Sequence, residues 1–160
     1  SSSPKTGFAE DEMQILWDHA DTVPMAGTIL LMCYTGFRIG EFLNLEYRDG
    51  CLCGGSKTKA GRDRIVPVSP KVQRFVDSIP KMPEKRFRNE FYKTLEQIGI
   101  ENESHRLTPH STRHTFATLL KRAHGSDKDK MRLIGHSSDE MLRYYQDVSI
   151  DDLRKIIAEI

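Results

Sequence analysis

Arg38, His110, Arg113, His136 and the adjacent pair Tyr144 and Tyr145 are the residues whose types and spacing suit chemistry, joined by a lysine from the basic stretch that holds Lys57 and Lys59. Two guanidiniums can grip the non-bridging oxygens of a phosphodiester bidentately and stabilise the charge that builds in a five-coordinate transition state. A tyrosine phenol, with a free pKa near ~10, loses its proton more easily than a serine hydroxyl and leaves well in a later step, so it is a sensible nucleophile. A covalent phosphotyrosine would keep the phosphodiester bond energy, and rejoining would need no ATP. The chain shows no carboxylate cluster for two metals, no Gly-rich phosphate loop and no serine nucleophile elbow, so neither a metal nor a cofactor is expected. Singly, each residue has an ordinary explanation as a surface arginine, a helix-start hydrogen-bonder or a half-buried aromatic. Their joint occurrence points to chemistry.

These residues are scattered along the chain, so its elements must gather them. Thr108 as N-cap and Pro109 at the first helical position predict a helix to about Ala123, with His110 and Arg113 on one face. Ser137 and Glu140 read as a capping box opening another helix, on which Tyr144 and Tyr145 ride about two turns further on. Upstream, Met13, Leu16, Trp17 and Ala20 repeat at helical spacing across Ala9 to Ala20, and Pro24 opens an apolar helix ended or interrupted by Gly36. A short helix from Arg38 to Leu45 leaves Arg38 and Glu41 on its polar side. Between Tyr47 and Val68, Asp-Gly and Gly-Gly pairs signal a small antiparallel β element with strands at Cys51–Gly54 and Arg64–Val68, the second an edge strand because of Pro67. Lys57, Lys59, Arg62 and Arg64 concentrate positive charge there, which alone is an ordinary solvated loop.

Pro70–Ile79 is a further helix candidate, and Phe87, Phe91, Leu95 and Ile98 mark the core face of an amphipathic helix stopped by Gly99. Leu153, Ile156, Ile157 and Ile160 form an apolar stripe that must be buried at home or on a neighbouring molecule. The expected fold class is mainly α with a small antiparallel β-sheet or hairpin.

A length of 160 residues and 38% hydrophobic composition allow one globular domain with a real core. Net charge is +1, from 24 basic and 23 acidic residues, and neither demands nor forbids nucleic acid. No apolar run reaches membrane-span length and no signal-peptide core opens the chain, which reads as soluble and intracellular. Cys33, Cys51 and Cys53 read as reduced structural thiols, since Cys51 and Cys53 lack a second ligand pair for zinc.

Four motifs in order resemble the catalytic domain of a tyrosine recombinase, the phage integrase family, and most of all integrases of phages and integrative mobile elements. They are Thr35-Gly-Phe-Arg-Ile-Gly-Glu, the lysine region from Ser56 to Pro67, Pro109-His-Ser-Thr-Arg-His-Thr, and Ile134-Gly-His-Ser-Ser through Tyr145. The similarity runs from about Phe8 onward, leaving residues 1–7 as a linker or terminal extension and 8–160 as the catalytic domain, without the family's N-terminal core-binding and arm-binding domains.

The resemblance makes Arg38 and Arg113 the phosphate-binding pair and Glu41 a supporting acid. Lys59, counted back from Pro67, becomes the general acid that protonates the departing 5′ oxygen, with Lys57 the alternative. His110 assists proton transfer from the nucleophile, and His136 hydrogen-bonds the scissile phosphate. Tyr145, nine residues after His136, is the nucleophile, with Tyr144 the alternative. Lys57, Arg62 and Arg64 contact DNA, and His114 is a buried structural histidine. The implied activity is site-specific cleavage and rejoining of DNA strands through a 3′-phosphotyrosyl intermediate, without metal or ATP, for integration or excision of a phage or mobile element. The implied partners are double-stranded DNA attachment sites and other protomers engaged through the C-terminal helix, as a tetramer on DNA and a monomer alone. No membrane is expected; the place of action is the cytoplasm of a bacterial cell or phage-infected host, at the nucleoid. The rival readings are type IB topoisomerase-like strand passage and a catalytically idle DNA-binding or assembly module.

Overall fold

The computed structural model describes residues 6–54, 64–135 and 149–160. Helix α1 (Glu10–His19) opens with three acidic residues at its positive end, and the Glu12 carboxylate accepts from the Ala9 N–H at 2.9 Å. Helix α2 (Pro24–Cys33) begins with proline, whose missing N–H costs nothing in a first turn, and is buried continuously from Ala26 to Cys33. Gly36, at φ +71, ends that apolar run, and α3 (Ile39–Phe42) follows as a single turn with Arg38 as its N-cap.

Three short strands come next, β1 (Leu45–Arg48), β2 (Cys51–Gly54) and β3 (Ile65–Pro67), forming one antiparallel sheet in the order β1-β2-β3. The β1–β2 turn is Asp49-Gly50, with both residues at positive φ, the twist that a two-residue hairpin needs. Leu45, expected in the short helix, instead begins β1. Pro67 does lie on an edge strand. The helix expected over Pro70–Ile79 is a tighter 3-10 turn at Gln73–Ser78.

Helix α4 (Glu84–Ile98) buries Phe87, Phe91, Leu95 and Ile98 and ends at Gly99, φ +86. Helix α5 (Pro109–Arg122) lies within one residue of its expected bounds. Helix α6 (Asp127–Ile134) was not foreseen: it has eight residues, only Leu133 is buried, and its start rests on the Ser126 hydroxyl accepting from the Asp129 N–H. Helix α7 (Ile150–Ile157) closes the chain.

Helix α2 is the hub, with α1, α4, α5 and the 3-10 turn packed around it. The C-terminal stripe is buried at home: Leu153, Ile156, Ile157 and Ile160 are each at most 5% exposed, and α7 lies against α6 and β3. Cys33, Cys51 and Cys53 are buried free thiols. Among the described residues no helix is long and apolar enough to cross a membrane.

One backbone position governs how α2 hands the chain to the site. A Cβ on Gly36 would stand 2.1 Å from Phe116 Cδ2, and the residue sits in the left-handed region. Gly36→Ala combines backbone strain with overpacking and is expected to destabilise the fold by about 2–4 kcal/mol, read as a lowered midpoint in chemical denaturation.

Candidate active site

Helix α5 presents His110 in its first turn, exposed, and Arg113 one turn later, half-buried. Thr108 is the N-cap as expected, but its hydroxyl makes no capping bond; the Ser111 hydroxyl accepts from the Thr108 N–H at 2.9 Å instead. Arg113 is built into the frame by backbone carbonyls. Its Nη1 donates to Gly36 O at 2.9 Å and Ile134 O at 2.6 Å, and its Nη2 donates to Gly135 O at 3.1 Å. A guanidinium carries five N–H donors, so these bonds leave part of the fork for an anion.

Arg38 stands at the mouth, its side chain 46% exposed. The Glu41 carboxylate, 11% exposed, accepts from the Arg38 backbone N–H at 3.0 Å and lies 3.6 Å from Arg38 Nη1. The two arginines are close enough to feel each other: Arg113 is pushed down to about 10, first by burial and then by the positive charge of Arg38, with Glu41 opposing. His110 lies in the same field. Although the residue is exposed, partial desolvation of its ring, then His114, Arg113 and Arg38, hold its pKa below the usual histidine value, which favours a neutral imidazole able to accept a proton.

Two sequence expectations are corrected. His114 is half-buried rather than buried, and its ring meets that of His110 edge to face, centroids 5.0 Å apart at 87°. Arg64, expected on DNA, is 1% exposed and points inward. Its Nε donates to Leu133 O at 3.1 Å, Nη1 to Glu41 Oε1 at 3.0 Å and Nη2 to Thr35 O at 3.1 Å, while the guanidinium carbon lies 4.3 Å from the centre of the Phe37 ring. A signal for this was present: Arg64, Val66 and Val68 alternate along an extended run, and Val66 is wholly buried.

Lys57, Lys59, Arg62, His136, Tyr144, Tyr145 and the Ser137/Glu140 capping box lie outside the described residues. The chain on either side of them is described, however. Arg64 follows the lysine stretch, Gly135 precedes His136, and a Cβ on Gly135 would stand 2.9 Å from Arg64 Cδ. The arginine pair, His110 and the boundaries of both stretches therefore share one corner of the fold.

Comparison with known proteins finds integrases and recombinases. Residues 79–151 match the phage integrase family model. The chain is 28% identical over 156 residues to a tyrosine recombinase XerD of Staphylococcus saprophyticus, covering 82% of this chain and 53% of that protein. It thus spans about half the length of this curated relative. Among solved structures, the integrase from mycobacterium phage Brujita superposes with a TM-score of 0.74 at 16% identity, over 99% of this chain and 59% of that one. A lambda integrase dimer bound to a COC′ core site does so with a TM-score of 0.62 at 20% identity, over 92% and 49% respectively.

Proposed function

Taking as premise that the chain belongs to the phage integrase family and has the tyrosine recombinase catalytic fold, we propose that it cleaves and rejoins DNA strands by transient attachment of a tyrosine to a 3′ phosphate. The observation that carries this reading is Arg113, fixed by three carbonyls beside Arg38 and His110. Two guanidiniums take the non-bridging oxygens and stabilise the five-coordinate transition state. His110, kept neutral, receives the phenol proton of Tyr145 as the phosphotyrosyl bond forms. Lys59 returns a proton to the 5′ oxygen as that bond breaks, His136 supports the scissile phosphate, and Lys57 and Arg62 hold the DNA backbone. Attack by a 5′-hydroxyl of a partner duplex then releases the tyrosine, which is strand exchange for integration or excision. No step of this scheme calls on a metal or ATP.

Double-stranded DNA is the partner this chemistry requires, and the lambda integrase neighbour is itself bound to a core site. Burial of the C-terminal stripe within the chain supports a monomer in the absence of DNA. Assembly on DNA would hand that helix to a neighbouring protomer. The reading places the protein in the bacterial cytoplasm, on the nucleoid.

The experiment is covalent trapping. A duplex nicked next to the scissile phosphate loses its short 5′-hydroxyl fragment after cleavage, so the reaction cannot reverse and the adduct accumulates. A protein–DNA band that survives denaturation supports the recombinase. DNA binding with no adduct on the protein's own attachment site leaves the idle-module reading standing instead.

A further inference from the structure

Arg64 is the most deeply buried charge among the described residues and belongs to none of the proposed catalytic steps. It lies between the segments that frame the candidate site. One face of its guanidinium packs on Phe37; its edges reach Thr35 O, at the end of the turn after α2, and Leu133 O, near the end of α6. Arg113 is held by the neighbouring carbonyls of the same two segments, Gly36 O on one side and Ile134 O and Gly135 O on the other. The two arginines therefore stitch the same seam, Arg64 from inside and Arg113 from its rim.

The third bond of Arg64 goes to Glu41 Oε1 at 3.0 Å, the oxygen that also lies 3.6 Å from Arg38 Nη1. Glu41 thus has two cationic suitors, and the buried one is closer. Buried pairs hold their partners more firmly than exposed ones, because little water competes for the charge. With Arg64 in place, Glu41 Oε1 is shared between Arg64 Nη1 and the Arg38 backbone N–H, each at 3.0 Å, and stands 3.6 Å from an Arg38 side chain that is 46% exposed.

We infer that Arg64 is a positioning residue for phosphate capture: it fixes the seam that orients Arg113 and holds Glu41 short of a close bond to the Arg38 guanidinium, so that both guanidiniums face one phosphate. This rests on the recombinase reading above. Without the planar fork of Arg64, the Thr35 and Leu133 segments lose their common donor, and Glu41 is free to close on Arg38. Binding of DNA through the rest of the surface would persist. Capture of the scissile phosphate would not.

The test uses the protein as naturally expressed, with adduct formation followed at saturating DNA and counted per folded molecule. Arg64→Lys keeps a charge for Glu41 but cannot span the two carbonyls. The double substitution Arg64→Met with Glu41→Gln removes the buried charge pair together and keeps the measurement possible should the lysine variant fold poorly. Each is assayed on an ordinary nicked duplex and on one whose scissile phosphate is a methylphosphonate, which has no charge for the guanidiniums to grip. Expected is a loss of about 10²-fold on the phosphodiester and a far smaller loss relative to the unsubstituted protein on the methylphosphonate. Equal losses on both substrates mean that Arg64 merely supports the fold and overturn the inference, as does an undiminished rate on the phosphodiester. If the unsubstituted protein forms no adduct, the recombinase reading falls as well; if it does and the variants match it, only the role of Arg64 falls.

Discussion

Tyr145→Phe is expected to abolish the denaturation-resistant protein–DNA adduct, while Tyr144→Phe retains it at near the unsubstituted rate. The phenylalanine keeps the ring and its packing and removes a single oxygen. That oxygen is the atom proposed to attack phosphorus, so the loss is of the reaction itself and not of a fraction of its rate. DNA binding, which depends on phosphate contacts spread over the surface, should be unaltered in both variants. The choice between the two neighbours follows from spacing. Tyr145 lies nine residues after His136, and on a helix Tyr144 would point about 100° away from it. A gel-shift assay run beside the trapping assay separates binding from chemistry. Adduct from Tyr145→Phe together with none from Tyr144→Phe would move the nucleophile one residue back; adduct that persists when both are phenylalanine would remove this pair as the nucleophile.

Legibility in the sequence followed the strength of the local physical signal. Helices α1, α2, α4 and α5 have proline or acidic starts, or apolar residues at three- and four-residue spacing, and their observed bounds fall close to expectation. Helix α6 has one buried residue in eight, too weak a stripe to read, although its C-terminal carbonyls turned out to hold both Arg64 and Arg113. Strand β1 escaped because Leu43 and Leu45 look like a continuing helix face, and the Asp49-Gly50 turn that defines the hairpin comes only afterwards. Arg38, Glu41, His110 and Arg113 were legible as a set from motif order, and the structure brings them into one corner. What no motif conveyed was the division of labour among the arginines. Solvent exposure separates them: the Arg38 side chain is 46% exposed, and Arg64 is 1% exposed. Residue type and local charge density are the same for a basic loop and a buried hub. Only the two-residue alternation with Val66 separated them.

That division makes Arg113→Lys the second large effect, and one with two readouts. The cleavage step should fall by about 10²-fold or more, as when one preorganised donor is removed from a developing oxyanion. Lysine offers a single nitrogen, whereas Arg113 reaches Gly36 O, Ile134 O and Gly135 O from two nitrogens and still keeps donors for phosphate. A lysine that turns to the carbonyls deserts the phosphate. One that turns to the phosphate leaves half-buried carbonyls unpaired, at a cost of about 1–3 kcal/mol. Loss of chemistry should therefore be accompanied by a lower melting temperature. Arg38→Lys provides the contrast, because Arg38 is exposed and, among the described residues, its side chain has a 3.6 Å contact with Glu41 alone; the rate should fall with melting almost unchanged. The pair of variants thus measures whether the framework and the phosphate draw on the same guanidinium. Equal melting temperatures for Arg113→Lys and Arg38→Lys would mean that the three carbonyl bonds contribute nothing to the fold. An unimpaired cleavage rate in Arg113→Lys would mean that a point charge suffices where a fork is expected.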